Sequence, residues 1–428
     1  MSMPRHYAKL SAMMFLQFGV YGLWMPIAGR FLTSDPATEG GLGFSESQMG
    51  AIVGFAAAIG AICSPLIVQF ADRHFPAQRF LGVLMVIGGA LKLAVYPQST
   101  YIAWLLLSVT FTLMFMPAAA ICNALAMRHL DQPTRQFPSV RLWSSVAWVF
   151  VSWTFSLLVL KTNVQLRWMP PFFEGADVPM IGAAMRTSVL WSGSLAIGYG
   201  VWAFFFLPPT PPLPTQSKKP AVVEAFGLLK VKSLAVVLGA TLVISPMNVI
   251  YFMQCAKFLT KAGLDQAYIM PAMAIGQIGE ILIFMVLGRI LPRLGFRVTI
   301  SIGMLFFALR FFLFGTIAFP IWVMVAGQLL HGICYPFFVI TCVIYANKVA
   351  PKEIKNSAQS VYNFIFYGVG PLLAVALNGF LANRFAQSGK TLSLEEFRYF
   401  WYSLGGITMI AFVIFLLLFK EEQDTETA

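Results

Sequence analysis

Charge is scarce in this chain: Asp, Glu, Lys and Arg together fill 11% of its 428 positions, against 58% for hydrophobic residues. So little charge cannot cover a water-facing surface of that size, which excludes an ordinary soluble domain. Alternation of polar and apolar positions is missing as well. Runs such as residues 407–419 are apolar on every side, which excludes a membrane β-barrel. There is no HExxH, no GxSxG and no His/Asp-rich helix, so nothing marks an enzyme. The five cysteines (Cys63, Cys122, Cys255, Cys334 and Cys342) form no CxxC pair and no metal-like cluster. All fall in apolar stretches and are expected to be small core residues, with no metal or cofactor implied. The first apolar run has no small-residue cleavage site and is too long for a signal-peptide core, so it is expected to stay as a helix.

What the chain does have is a succession of apolar runs, each close to the roughly 20 residues that cross a bilayer as a helix. Twelve are expected, near 8–31, 48–71, 80–96, 101–127, 139–160, 187–207, 233–256, 266–288, 298–317, 321–346, 357–381 and 398–419. The fold class is therefore an all-α membrane protein. Residues 208–232 contain PPTPPLPTQSKKP, which cannot continue a helix and carries solvated lysines. They are expected to link an N-terminal six-helix bundle, 1–207, to a C-terminal one, 233–428. The net charge of +12 sits in short loops, so it bears on orientation and implies no nucleic-acid partner. Sixteen lysines and arginines lie at the N-terminus and in the loops on its side, nine on the other. The loop after helix one holds Asp35, Glu39 and Glu46 instead. The positive-inside rule then puts both termini and the linker in the cytoplasm.

The halves also look like copies. VQFADRHFPAQR follows helix two and GRILPRLGFR follows helix eight, and buried basic residues recur as Lys92 in helix three and Arg310 in helix nine. These loops resemble the G-x-x-x-D-R-x-G-x-R signature of the major facilitator superfamily. The first keeps Asp72 and Arg73; the second keeps Gly288, Arg293, Gly295 and Arg297 but has Pro292 at the acidic position. The resemblance implies that these residues gate movement between the halves.

Ionisable groups at bilayer depth are costly and normally face a partner or a wet cavity. Lys92, Arg141, Glu280 and Arg310 stand out. Glu280 is the one carboxylate well inside an apolar run, and a carboxylate there can exchange a proton as its surroundings change from dry to wet. The alternative is a permanent structural pair with Arg310 or Lys92. Gln277 shares its helix face, three positions earlier. Arg141 opens helix five, and Ser145 and Trp148 follow at helical spacing, offering a hydroxyl and a stacking surface. Gln17, Tyr21, Trp24, Asn123, Asn248 and Tyr335 are further inward candidates. His331, alone in helix ten, is expected to pack.

Six segments, FLQFGVYGLW, FMPAAAICN, FPSVRLW, QIGEILIF, ALRFFLFG and NSAQ, occur in the order and spread of the bacterial nucleoside:proton symporter family, which the chain resembles over almost its whole length. That resemblance implies an inner-membrane, monomeric carrier that imports nucleosides with protons by alternating access. Its substrate-pocket positions would be Arg141, Ser145, Trp148, Gln277 and Glu280, with Tyr335 at an aromatic one. Asn248, beside Gln254, loosely matches a polar pair on helix seven, and Gln17 is an inward polar candidate from helix one. Glu280 would couple the proton. The family pattern has an aspartate before two aromatics on helix ten; here Pro336 precedes Phe337 and Phe338. Rival readings are a permease for a sugar or muropeptide-like solute and a transport-dead sensor. The sensor would need an appended domain, where only the tail KEEQDTETA follows the last helix.

Overall fold

A computed structural model describes residues 6–131, 133–168, 172–212, 231–349, 362–386 and 392–421. Within them, the side chains at 72, 73, 133–135, 138 and 347 are outside the description. Most of the linker (213–230) and the NSAQ segment also lie outside it.

Eleven helical stretches among the described residues are long and apolar enough to cross a membrane. The longest, Ile269–Gly315, has 47 residues. At about 1.5 Å per residue it would measure about 70 Å, more than twice a hydrocarbon core of ~30 Å. It breaks at Gly295, whose backbone (φ 72°, ψ 170°) is not helical. A Cβ is not tolerated in that region, so glycine there ends one crossing and starts the next. The crossings are α1 (Tyr7–Thr33), α2 (Glu46–Ala71), α3 (Ala77–Val95), α4 (Tyr101–Arg128), α5 (Ser139–Leu160) and α6 (Ile181–Phe206) in the first half. The second half has α7 (Lys232–Lys261), α8 and α9 (Ile269–Gly315, before and after Gly295), α10 (Ile321–Ala346), α11 (Phe364–Phe385) and α12 (Leu394–Leu418).

Short polar signals start several of these helices. Ser45 and Gln48 form a reciprocal cap at the head of α2, and Ser393 and Glu396 do the same for α12. Asp265 caps the turn that leads into α8 by accepting from the Ala267 N–H at 3.1 Å. One element is absent from the sequence-based expectation. Between α5 and α6, β1 (Lys161–Leu166) pairs antiparallel with β2 (Phe173–Asp177). Both strands are short, with one buried residue each, so they carry no apolar alternation to announce them.

Within the first half α3 packs on α6 and α4, and α1 on α5; within the second, α8 and α9 pack on α10 and α12, and α7 on α11. The halves meet along α5 against α8, α2 against α11, and the end of α1 against α7. Those pairings are what a duplicated six-helix unit produces when its copies face each other about a pseudo-two-fold axis. The packing differs between the two faces. Away from the N-terminus, Met25, Phe31, Phe44 and Met49 share one buried cluster with Tyr251, Phe258 and Phe314 of the second half. At the N-terminal face, Leu10, Met14, Leu84, Phe111 and Leu125 form a separate cluster made of first-half residues alone. Among the described residues, the buried apolar cluster shared by the halves lies away from the N-terminus.

Candidate functional site

Glu280 lies eleven residues past the start of α8, about 16 Å along it and 7% exposed. Its carboxylate is at the seam between the halves. From α5, the Ser145 hydroxyl donates to Glu280 Oε2 at 2.9 Å. From α10, His331 Nε2 stands 3.3 Å from Oε1. The other ring nitrogen, Nδ1, is 2.6 Å from a guanidinium nitrogen of Arg310 on α9. Arg310 is fully buried, with its guanidinium carbon 4.0 Å above the Tyr251 ring of α7. Tyr251 also stacks on His331, ring centroids 5.4 Å apart.

These contacts remove one alternative and correct one expectation. Glu280 reaches neither Arg310 nor Lys92 directly; Lys92 instead has its ammonium 3.4 Å from the Trp24 ring centroid and 4.6 Å from that of Phe111. His331 does more than pack, because it stands between the carboxylate and the guanidinium. The signal that could have revealed it is a set of glycines. A Cβ on Gly332 would meet the Gly279 backbone at 2.3 Å, and one on Gly276 would meet the His331 Cβ at 3.1 Å. Small residues let α8 and α10 touch backbone to backbone at this level. Their following and preceding neighbours, Glu280 and His331, are thereby brought together.

The remaining candidates surround this centre in different ways. Trp148 is 8% exposed, and its ring lies between Tyr21 (centroids 5.9 Å apart) and Phe252 (5.8 Å). Its Nε1, the Gln277 Oε1, the Asn248 Oδ1 and both amide atoms of Gln17 are buried without a hydrogen-bond partner among the described residues. Buried polar atoms normally find partners, so unpaired ones suit a polar ligand. Tyr335 reaches Tyr367 of α11 at 3.4 Å between hydroxyls. Arg141 turns away from Glu280: its guanidinium carbon is 4.0 Å over the Phe18 ring and it donates to Ser144. Spacing alone put Arg141 with Ser145, but only Ser145 touches the carboxylate. Pro336 opens a stretch of wider helical turns in α10, Pro336–Ile340, one residue beyond Tyr335. Gln254 does not join Asn248 as the expected polar pair.

Gln254 belongs to a second polar cluster, at the face where the halves fuse. It donates to Glu46 Oε2 at 2.9 Å and Asn378 Oδ1 at 2.8 Å. Lys257 Nζ is 2.6 Å from the same Glu46 carboxylate, and both side chains are nearly buried. The cluster joins α2 to α7 and α11.

Near it, Lys161 pairs with Asp177 at 2.8 Å and with Asp265, tying the hairpin to the turn before α8. Burial, and then the hydrogen bond with Asp265, push the Asp177 carboxyl up to about 6. Burial opposes ionisation of Asp265, but hydrogen bonds from Asp177 and Lys161 outweigh it and hold that group below its ordinary value. A raised carboxyl stabilises this arrangement fully below its ordinary pKa of 3.8, and the contribution fades as pH rises through about 6. Detergent-solubilised protein is therefore expected to lose thermal stability across that window relative to Asp177→Asn, which cannot ionise. Parallel pH profiles of Tm for the two proteins would refute this assignment.

Of the expected gating residues, Gly295 makes the break between α8 and α9, and Gly288 and Arg293 are exposed near the end of α8. Arg297 donates to the Leu416 carbonyl at 2.6 Å, tying the start of α9 to the end of α12. The side chains of Asp72 and Arg73 lie outside the described residues.

A family model described as "Nucleoside H+ symporter" matches residues 5–424. Among curated proteins, YegT of Escherichia coli (strain K12), a candidate nucleoside transporter, is 28% identical over 98% of this chain and 95% of its own length. The nucleoside permease NupG of the same organism is 23% identical over 96% of this chain and 95% of its own. A crystal structure of the nucleoside transporter NupG superposes with a TM-score of 0.79 at 20% identity, covering 98% of this chain and 100% of that one. That likeness establishes the shared fold.

Proposed function

Because the chain belongs to the nucleoside:proton symporter family, we propose that it imports nucleosides with protons across a bacterial inner membrane. Two bundles, 1–207 and 233–428, joined by the linker 208–232, rock about a site at their seam. With both termini cytoplasmic, the fused face is periplasmic, and the arrangement seen here is closed to the outside. The protein acts as a monomer, since one chain supplies both halves of the site.

A single observation carries this reading: the Ser145–Glu280 hydrogen bond spans the two halves. A change in the protonation of Glu280 therefore alters a contact that holds the halves together, which is what coupling requires. Gln277, Asn248 and Gln17 supply amide groups for ribose hydroxyls or base edges, Trp148 and Tyr335 supply aromatic surface, and Arg141 supplies a donor from α5. Asp72, Arg73, Gly288, Arg293, Gly295 and Arg297 belong to the inner gate. In vesicles holding the purified protein, an inward proton gradient is expected to drive accumulation of labelled uridine, competed by other nucleosides and not by sugars. Competition by sugars alone would transfer the site to a sugar-like solute.

A further inference from the structure

The hydrogen-bonding capacities around Glu280 specify more than proximity. Arginine can only donate, so His331 Nδ1, 2.6 Å from Arg310, must be the acceptor and carry no hydrogen. A neutral imidazole then has its hydrogen on Nε2, the nitrogen 3.3 Å from Glu280 Oε1. That oxygen already accepts from a donor, so a proton placed on it would weaken that hydrogen bond. The other oxygen, Oε2, faces Ser145, and a hydroxyl can rotate from donating to accepting.

We propose that His331 is a positioning residue: held as the neutral Nε2–H form by Arg310, it occupies Glu280 Oε1 and directs the transported proton to Oε2, towards Ser145 of the other half. The proton arrives on Oε2, Ser145 turns from donor to acceptor, and the His331 and Arg310 protons stay where they are. The seam between the halves thus registers the proton, while α9 and α10 hold the carboxylate from behind. Among the described residues, the other titratable groups beside this centre are Tyr251 and Cys255 from α7 and Cys334 and Tyr335 from α10, while Arg141 of α5 is turned to Phe18. None of them stands between Glu280 and Arg310 as His331 does. The proposal rests on Glu280 as the proton carrier.

The test uses His331→Leu and His331→Gln in reconstituted vesicles, with proton-driven uridine uptake measured against pH. Leucine removes a hydrogen bond to a charged group, so the profile is expected to move to alkaline pH by about one to two units. Glutamine accepts through its amide oxygen and donates through its nitrogen without titrating, and is expected to return the profile to the wild-type position. If the glutamine variant instead loses accumulation, the imidazole itself carries the proton and the proposal is overturned. A leucine profile that superposes on wild type overturns it too. Should the leucine variant fail to fold, 15N-histidine NMR of the wild-type protein decides. The resonance lost in His331→Gln should show a neutral Nε2–H ring throughout, and an imidazolium signal there would refute it. Failure of the functional reading itself looks different: wild-type uptake would then ignore the proton gradient.

Discussion

Glu280→Gln is expected to abolish proton-driven accumulation while leaving exchange of labelled for unlabelled substrate intact. The amide keeps the size of the carboxylate. It can still accept from His331 through its oxygen, and the Ser145 hydroxyl can rotate to accept from its nitrogen, so the contacts at both oxygen positions survive. What disappears is the proton. A membrane potential of 100 mV offers about 2.3 kcal/mol per proton carried, roughly fifty-fold in concentration. Without a titrating group the carrier cannot draw on that, and uptake should stop at the outside concentration. Counterflow, which needs only the reversible swing of the loaded carrier, should persist. Vesicles with an imposed gradient measure the first, and preloaded vesicles without one measure the second. Undiminished accumulation by the variant would remove Glu280 from the coupling role.

The second large effect is expected at the fused face. Lys257→Ala leaves the Glu46 carboxylate buried among Gln254 and Asn378 with its cation gone. Removing one member of a buried ion pair typically costs about 3–5 kcal/mol. Once the halves part at this face, water reaches both groups and that cost vanishes, so the penalty falls on the closed arrangement. A shift of about a hundredfold or more towards the open one follows. A cysteine replacing Met253, which is fully buried at this face, in a background without the native cysteines, should then react with an impermeant thiol reagent far faster. Glu46→Ala should act alike, and the exchanged pair Glu46→Lys with Lys257→Glu should restore protection. Equal labelling rates in all four proteins would show that the pair does not hold the face shut.

The two sites differ in how much of them the sequence exposes. Glu280 and Arg310 were conspicuous as lone charges in apolar runs, and the cost of placing them in lipid marked them without reference to any neighbour. Glu46 and Lys257 are not, because each sits near a helix end where charge is ordinary. Only the helix extension to Lys261 and the approach of α2 to α7 and α11 bury them together. Asp177 and Asp265 are hidden for a similar reason, since the hairpin that presents one of them has no apolar pattern.

The apolar runs that become helices follow from the sequence alone, and its loop charges set the expected orientation. The free energy of inserting a helix is a sum over its own residues, and the loop charges act locally on the membrane. Even the break at Gly295 sits at the loop expected between the eighth and ninth runs. The partners of the charges are another matter. Whether Glu280 meets His331, Arg310 or Lys92 depends on helix rotation and on how closely backbones approach where Gly279 and Gly332 cross. Those quantities belong to the packed set of helices, so the tertiary structure alone decided them.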